Sequence, residues 1–277
     1  MKHILEYCRP YRRHAKYLST LDASHWGCGC FVQLKSKIYV IEVGQITVYE
    51  ASPTFAKLQI ITRKEIKCPW GVAACKLNKY IYVSDKDAKC VWQVDQYEEV
   101  KLLIADLSRA VKLSVMCNGN VLIVDIKKLI QYKSDGSKLK SVRLPNELTD
   151  PDSAVGTPRG TFFVSHSPSG GTNKICEILK NGEILRSFSQ REVKPKFAFG
   201  MSIDPAGQLF VLDYRNFRIL LLDSNLKLKR VMLSQAKYGL YSSNYLSYDA
   251  DSGNLLIGAF SIVNGKINIY NILPVPD

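Results

Sequence analysis

FAFGMSIDPAGQLFVLDYRNFRILLLD, running from Phe197 to Asp223, decides the fold. GMSID is a short half-apolar strand, and Pro205-Ala206-Gly207-Gln208 is a tight polar turn. LFVLD is an apolar run ending on a carboxylate, YRNF is a polar loop, and RILLLD is a third apolar run. LKLKRVMLS then alternates polar and apolar residues, as an outer strand with one face in water does. Four strands in one meander cannot bury both faces alone, so the unit requires neighbours of the same kind.

The rest of the chain supplies them. Apolar runs that end on an acidic or polar residue and lead into a polar loop recur as KIYVIE at Glu42, YIYVSD at Asp85, VLIVD at Asp125, TFFVS at Ser165 and LLIG at Gly258. With LFVLD at Asp213 they make six phrases spaced by about 40 to 48 residues, the period of four-stranded propeller blades. The widest interval contains an extra loop, HSPSGGTN, after the fourth phrase. The expected fold is all-β, a six-bladed β-propeller of four-stranded antiparallel blades. The sixth repeat stops one strand short at KINIYNILP, so AKYLSTLD, from Ala15 to Asp22, is expected to complete the last blade and close the ring. Residues 1–14 then form a basic lead-in and residues 15–277 a single propeller.

The 277 residues are 46% hydrophobic, enough for one closed all-β array, and carry a net charge of +13, which favours anionic partners. The start, MKHILEYCRPYRRHAKY, is too charged for a secretory apolar segment, and no run reaches membrane-spanning length. The eight cysteines read as reduced thiols, and the expected location is cytoplasmic. Cys28, Cys30, Cys75, Cys117 and His25 lack the paired spacing of a zinc site. Cys75 and Cys117 are expected to pack near the channel, at the position that Asp204 holds in the best-formed repeat. No metal or cofactor is expected.

GMSIDPAGQLFVLDYRNFRILLLD is similar to the NHL repeat, matching at Gly200, Asp204, Gly207, Val211, Asp213, Asn216, Arg218 and Ile219. Blade two matches more loosely through Pro69-Trp70-Gly71, Tyr82-Val83-Ser84-Asp85 and Val91. The chain thus resembles the C-terminal propeller of the tripartite-motif ubiquitin ligases. RING, B-box and coiled-coil segments are absent from this sequence. The resemblance implies either the recognition end of such a ligase or a stand-alone propeller, a monomeric domain that binds RNA or protein.

Asp213 and Arg218 are expected to pair and pin the loop between them, leaving Tyr214 and Arg215 to face outward. Loops joining the second and third strands of each blade share a face with those joining one blade to the next. That face is expected to carry Lys86, Lys89, Arg109, Lys112, Lys127, Lys128, His166, Lys196 and Arg215, with Trp26, Trp70, Phe199 and Tyr241 at the starts of blades. Cations interleaved with rings suit RNA, because cations meet phosphate and aromatics stack bases. The opposite face also carries Lys35, Lys37, Lys76, Lys79, Lys138, Lys140, Lys227 and Lys229. The alternative reading is a calcium-dependent hydrolase of the lactonase or gluconolactonase type. It needs several channel-facing oxygen ligands, and the innermost strands offer only Asp204 and Asn244.

Overall fold

The computed structural model describes residues 12–23, 30–108, 112–167, 174–188, 193, 195–196, 198–234, 245–260 and 265–275. They form six four-stranded antiparallel sheets. Blade one contains β2 (Cys30–Leu34), β3 (Lys37–Glu42), β4 (Gln45–Glu50) and β5 (Lys57–Thr62). Blade two contains β6 (Pro69–Cys75), β7 (Tyr80–Asp85), β8 (Cys90–Val94) and β9 (Val100–Ile104). Blade three is β10 (Leu113–Val115), β11 (Val121–Asp125), β12 (Lys128–Tyr132) and β13 (Lys138–Arg143). Blade four is β14 (Pro151–Gly156), β15 (Phe162–His166), β16 (Lys174–Ile178) and β17 (Ile184–Ser187). Blade five is β18 (Ala198–Ile203), β19 (Leu209–Asp213), β20 (Arg218–Leu222) and β21 (Leu228–Ser234).

Blade six joins β22 (Tyr245–Asp249), β23 (Asn254–Phe260) and β24 (Gly265–Val275) to the N-terminal strand β1 (Arg12–Ala23). This is the expected closure, with β1 beginning three residues before Ala15. The two ends of the chain therefore share one sheet, and Leu21 of β1 is buried with Ile267 and Ile269 of β24.

Inner strands of successive blades touch around the ring, and β22 touches β2 to complete it. Second and third strands are almost wholly apolar and buried, as in LFVLD, because each lies between two neighbouring blades. Outer strands such as β5 stay exposed along most of their length. Between blades, the turn joining the third and fourth strands docks on the preceding blade. A Cβ at Gly182 would lie 2.4 Å from the Arg143 carbonyl oxygen, and one at Gly136 would lie 2.5 Å from that of Leu103. Both glycines also sit at positive φ, so backbone freedom and close approach are demanded together.

One register expectation is corrected. Val115 pairs with Val121 as Ile203 pairs with Leu209, so Met116, not Cys117, holds the position of Asp204. Met116 is buried and Cys117 is exposed, whereas Cys75 is buried as expected. No helix among the described residues is long and apolar enough to cross a membrane.

Candidate functional site

The loop face is built on a repeated carboxylate. In blade five, Asp213 is fully buried, and its oxygens accept hydrogen bonds from Arg218 Nε at 2.7 Å, both from Asn216 Nδ2, and Lys196 N at 2.7 Å. The Asp213–Arg218 pair thus pins a short 3₁₀ turn, Tyr214–Asn216, and ties it to the linker from blade four. Arg215 N donates to the Lys196 carbonyl as a second tie. Arg215 is exposed and Tyr214 half-buried.

Blade two repeats the device. Asp85 accepts from the backbone N–H groups of Lys67, Cys68, Asp87 and Ala88, and from Trp92 Nε1 at 3.4 Å. Lys86 N donates to the Cys68 carbonyl, and Leu107 N to that of Lys89. In blade three, Asp125 accepts from Ser108 Oγ and Ile126 N and pairs with Lys128 Nζ at 3.4 Å. Burial alone would lift the Asp125 carboxyl, but these hydrogen bonds and the Lys128 charge hold it below the usual range. Blade four places His166 at the same register, opposite Pro151 as Asp85 is opposite Pro69.

A second repeated device interrupts the ladder where inner strands start at this face. The first pairing of the inner strand carries a bulge in blades two, four and five, leaving Trp70, Asp152 and Phe199 as the extra residues. A bulge of this kind takes a residue out of the ladder and redirects it. Trp70 is 37% exposed, and Lys86 Nζ lies 5.0 Å from the centre of its ring. At that distance the ammonium is held by the ring quadrupole. In blade four the redirected residue is Asp152, which accepts from Lys112 Nζ at 2.6 Å.

The expected residues therefore divide. Trp70, Lys86 and Lys89 share one loop region, with exposed Lys67 on the adjoining linker and exposed Lys127 and Lys128 on the next blade. Tyr214 and Arg215 belong to blade five, three places around a ring of six and so on the far side of the channel. Lys112 and His166 do not join the exposed set. The Lys112 side chain is 11% exposed and bound to Asp152; burial draws its pKa down against the pull of that carboxylate. His166 is 3% exposed, with Nε2 3.6 Å from Cys176 Sγ. Burial, then the Lys174 charge, lowers its pKa and keeps the ring neutral. Trp26, Arg109 and Tyr241 lie outside the described residues, as does the side chain of Phe199.

Both faces hold exposed lysines with no carboxylate partner among the described residues, Lys86, Lys89 and Lys127 on the loop face and Lys35, Lys79, Lys138 and Lys227 on the opposite face. Also on the opposite face, Lys37 binds Glu98 at 3.1 Å, Lys76 binds Asp249 and Asp251, and Lys229 donates to Gln208 Oε1. Of the channel oxygens, Asp204 accepts from Gln208 N and Nε2, and Asn244 lies outside the described residues. Among the described residues no three His, Cys, Asp or Glu side chains gather closely enough to hold a metal ion.

No family model matches the sequence, and no curated protein matches it. Solved structures do. Hydrazine synthase of Kuenenia stuttgartiensis is similar with a TM-score of 0.63 at 12% identity, over 92% of this chain and 97% of that one. The WD40 β-propeller domain of Doa1 gives a TM-score of 0.61 at 14% identity, over 93% and 97%. A streptogramin B lyase gives 0.61 at 10% identity, over 94% and 99%. At such identities the likeness establishes the β-propeller architecture and nothing finer.

Proposed function

We propose that the chain is a non-enzymatic recognition scaffold, of the NHL type found in tripartite-motif ligases, whose loop face over blades two and three takes a single-stranded or looped RNA element. The observation that carries this reading is the exposed Trp70 ring beside Lys86, with Lys89 and Lys127 uncompensated on the same face. An exposed indole offers a stacking surface to any base, and unpaired ammonium groups offer partners to phosphate. The Asp213–Asn216–Arg218 cluster supports the NHL reading, since it gives each of those repeat residues a loop-pinning contact. Channel carboxylates committed to protein donors support the non-enzymatic part.

The test is hairpin and single-strand RNA binding at two salt concentrations. Trp70→Ala is expected to cost about 1 to 3 kcal/mol with little change in salt slope. Lys86→Gln, Lys89→Gln and Lys127→Gln should each weaken binding across sequences and flatten the salt dependence. Lys35→Gln, Lys79→Gln and Lys138→Gln on the opposite face should leave binding unchanged. Equal losses from the two faces, or no binding at the higher salt, would exclude the RNA site and leave protein recognition as the reading of this face.

A further inference from the structure

On the face opposite the Trp70 cluster, one buried carboxylate holds two guanidinium groups side by side. Glu177 of β16 is fully buried. Its Oε2 pairs with Arg186 Nε at 2.9 Å, and its Oε1 accepts from Arg159 Nη2 at 3.3 Å and Thr161 Oγ1 at 2.6 Å. Each guanidinium also reaches the next blade. Arg159 Nη2 donates to the Ser224 carbonyl, and Arg186 Nη1 donates to Asn225 Oδ1 at 2.6 Å. Both therefore span one gap, from Glu177 to two adjacent residues of the blade-five turn. Lys180 joins them, since its Nζ lies 3.0 Å from where a Cβ on Gly160 would stand, one residue beyond Arg159.

Bracing the blades does not require this much charge. The second-last residue of the third strand is Glu177 in blade four and Gln93 in blade two. The Gln93 amide alone makes the bridge, donating to the Ser134 carbonyl of the next blade's turn at 3.0 Å. Where one neutral side chain suffices, blade four places three cations, Arg159, Lys180 and Arg186, against one carboxylate, which leaves two positive charges. The nearby carboxylates do not cancel them. Asp223 and Glu183 form no ion pair among the described residues, and Lys227 and Lys229 match them in number. Arg159 Nε and Nη1, Arg186 Nη2 and the Lys180 ammonium have no partner among the described residues.

We propose that this cluster binds the phosphomonoester of a phosphorylated protein side chain. Such a group is close to a dianion at neutral pH and presents three acceptor oxygens, so it matches both the surplus charge and the open donors. Guanidinium forks fit phosphate geometry, and these two are already held in place by Glu177 and the blade-five turn. A carboxylate or a nucleic-acid diester supplies one negative charge and leaves the second cation uncompensated. The Arg159 and Arg186 side chains are 47% and 33% exposed, so the site opens on the surface, where a phosphate carried by another chain reaches it. This inference is independent of the loop-face reading, since the cluster lies on the other face and on blades four and five.

Backbone amide NMR titrations of the full chain test it, with a glycine-flanked phosphoserine peptide, its unphosphorylated parent, its glutamate version, dimethyl phosphate and inorganic phosphate as probes. The phosphopeptide should give saturable shifts at millimolar or lower concentrations, centred on Arg159, Gly160, Lys180 and Asn225, and inorganic phosphate should compete with it. The parent peptide should not bind, and the glutamate peptide and the diester should bind several-fold more weakly. Lys180→Gln, a change on an exposed side chain, should weaken the phosphopeptide about two- to fivefold, the worth of an exposed ion pair. Arg159→Lys keeps a cation on Glu177 but loses the fork, and should weaken it about tenfold, the worth of one charge-assisted hydrogen bond. Trp70→Ala on the loop face and Lys138→Gln on the same face as the cluster should leave it unchanged. Absence of saturable shifts, a diester as tight as the monoester, or shifts from inorganic phosphate with none from the peptide would overturn the proposal. So would a loss from Lys138→Gln equal to that from Lys180→Gln.

Discussion

Tyr245 shows how much one side chain contributes to holding the ring. Its hydroxyl satisfies both backbone groups of Val72, a residue 3% exposed, while its ring packs edge-on against Phe31 at 5.0 Å. Gly258, opposite Tyr245 in the ladder, leaves the space that Phe31 fills; a Cβ there would stand 2.7 Å from the Phe31 ring. Burial pushes the phenol pKa well up, so the hydroxyl stays protonated and keeps donating. Tyr245→Phe leaves a buried N–H and C=O unpaired and is expected to destabilise the fold by about 1 to 3 kcal/mol, read from the urea midpoint. His166 gives a second prediction with a defined sign. Its folded pKa lies below the unfolded value of 6.5, so its contribution is complete above that value and is lost as pH falls toward the folded pKa. Between about pH 7.5 and 5.5 stability should drop, and His166→Gln should drop less over the same interval. Equal slopes for the two proteins would remove His166 from the account.

Elements were the most legible scale. The apolar runs and the acidic or polar residues and turns that follow most of them recur every 40 to 48 residues or so, and each needs its neighbours for burial, so six blades and the closing strand could be read directly. The loop clamp was legible for the same reason, since Asp213 and Arg218 lie five residues apart within one repeat unit. What could not be read depends on partners without local signatures. Lys112 meets Asp152 at a separation of 40 residues, and Tyr245 meets Val72 at 173. Asp249 and Lys76 were likewise invisible as a channel-end pair, because nothing in either strand marks a contact that bypasses a blade. The bulges that redirect Trp70 and Asp152 look identical in sequence to continuous strand. The closing strand carries the prediction at this scale. Without residues 1–23, β24 becomes an open edge, and Ile267 and Ile269 lose Leu21 from their cluster. A chain truncated there should melt far below the full-length protein and aggregate through the exposed edge. An unchanged melting curve would show that three strands suffice for blade six.

At the scale of the whole molecule, the excess of 13 positive charges acts on stability and binding in opposite directions. Lysines crowd both faces of the ring, and their mutual repulsion disfavours the compact state relative to an expanded chain. Many of the ion pairs that offset it have a half-exposed cation, as at Lys37–Glu98 and Lys128–Asp125, and exposed pairs contribute little. Salt shortens the Debye length to about 10 Å at 0.1 M and about 3 Å at 1 M, so long-range repulsion is screened before close contacts are. Raising sodium chloride from low concentration to about 0.5 M should therefore raise the melting temperature. A polyanion bound to Lys86, Lys89 and Lys127 responds the other way, since its affinity rests on releasing counterions that salt resupplies. The two responses, measured on one preparation, separate a focused site from general basicity. Stability that rises with salt, together with RNA affinity that falls with a slope reduced by Lys86→Gln, is the expected pair. A melting temperature that falls with salt would mean that the ion pairs outweigh the repulsion, and that the ring is held by its charges more than by the apolar packing between blades.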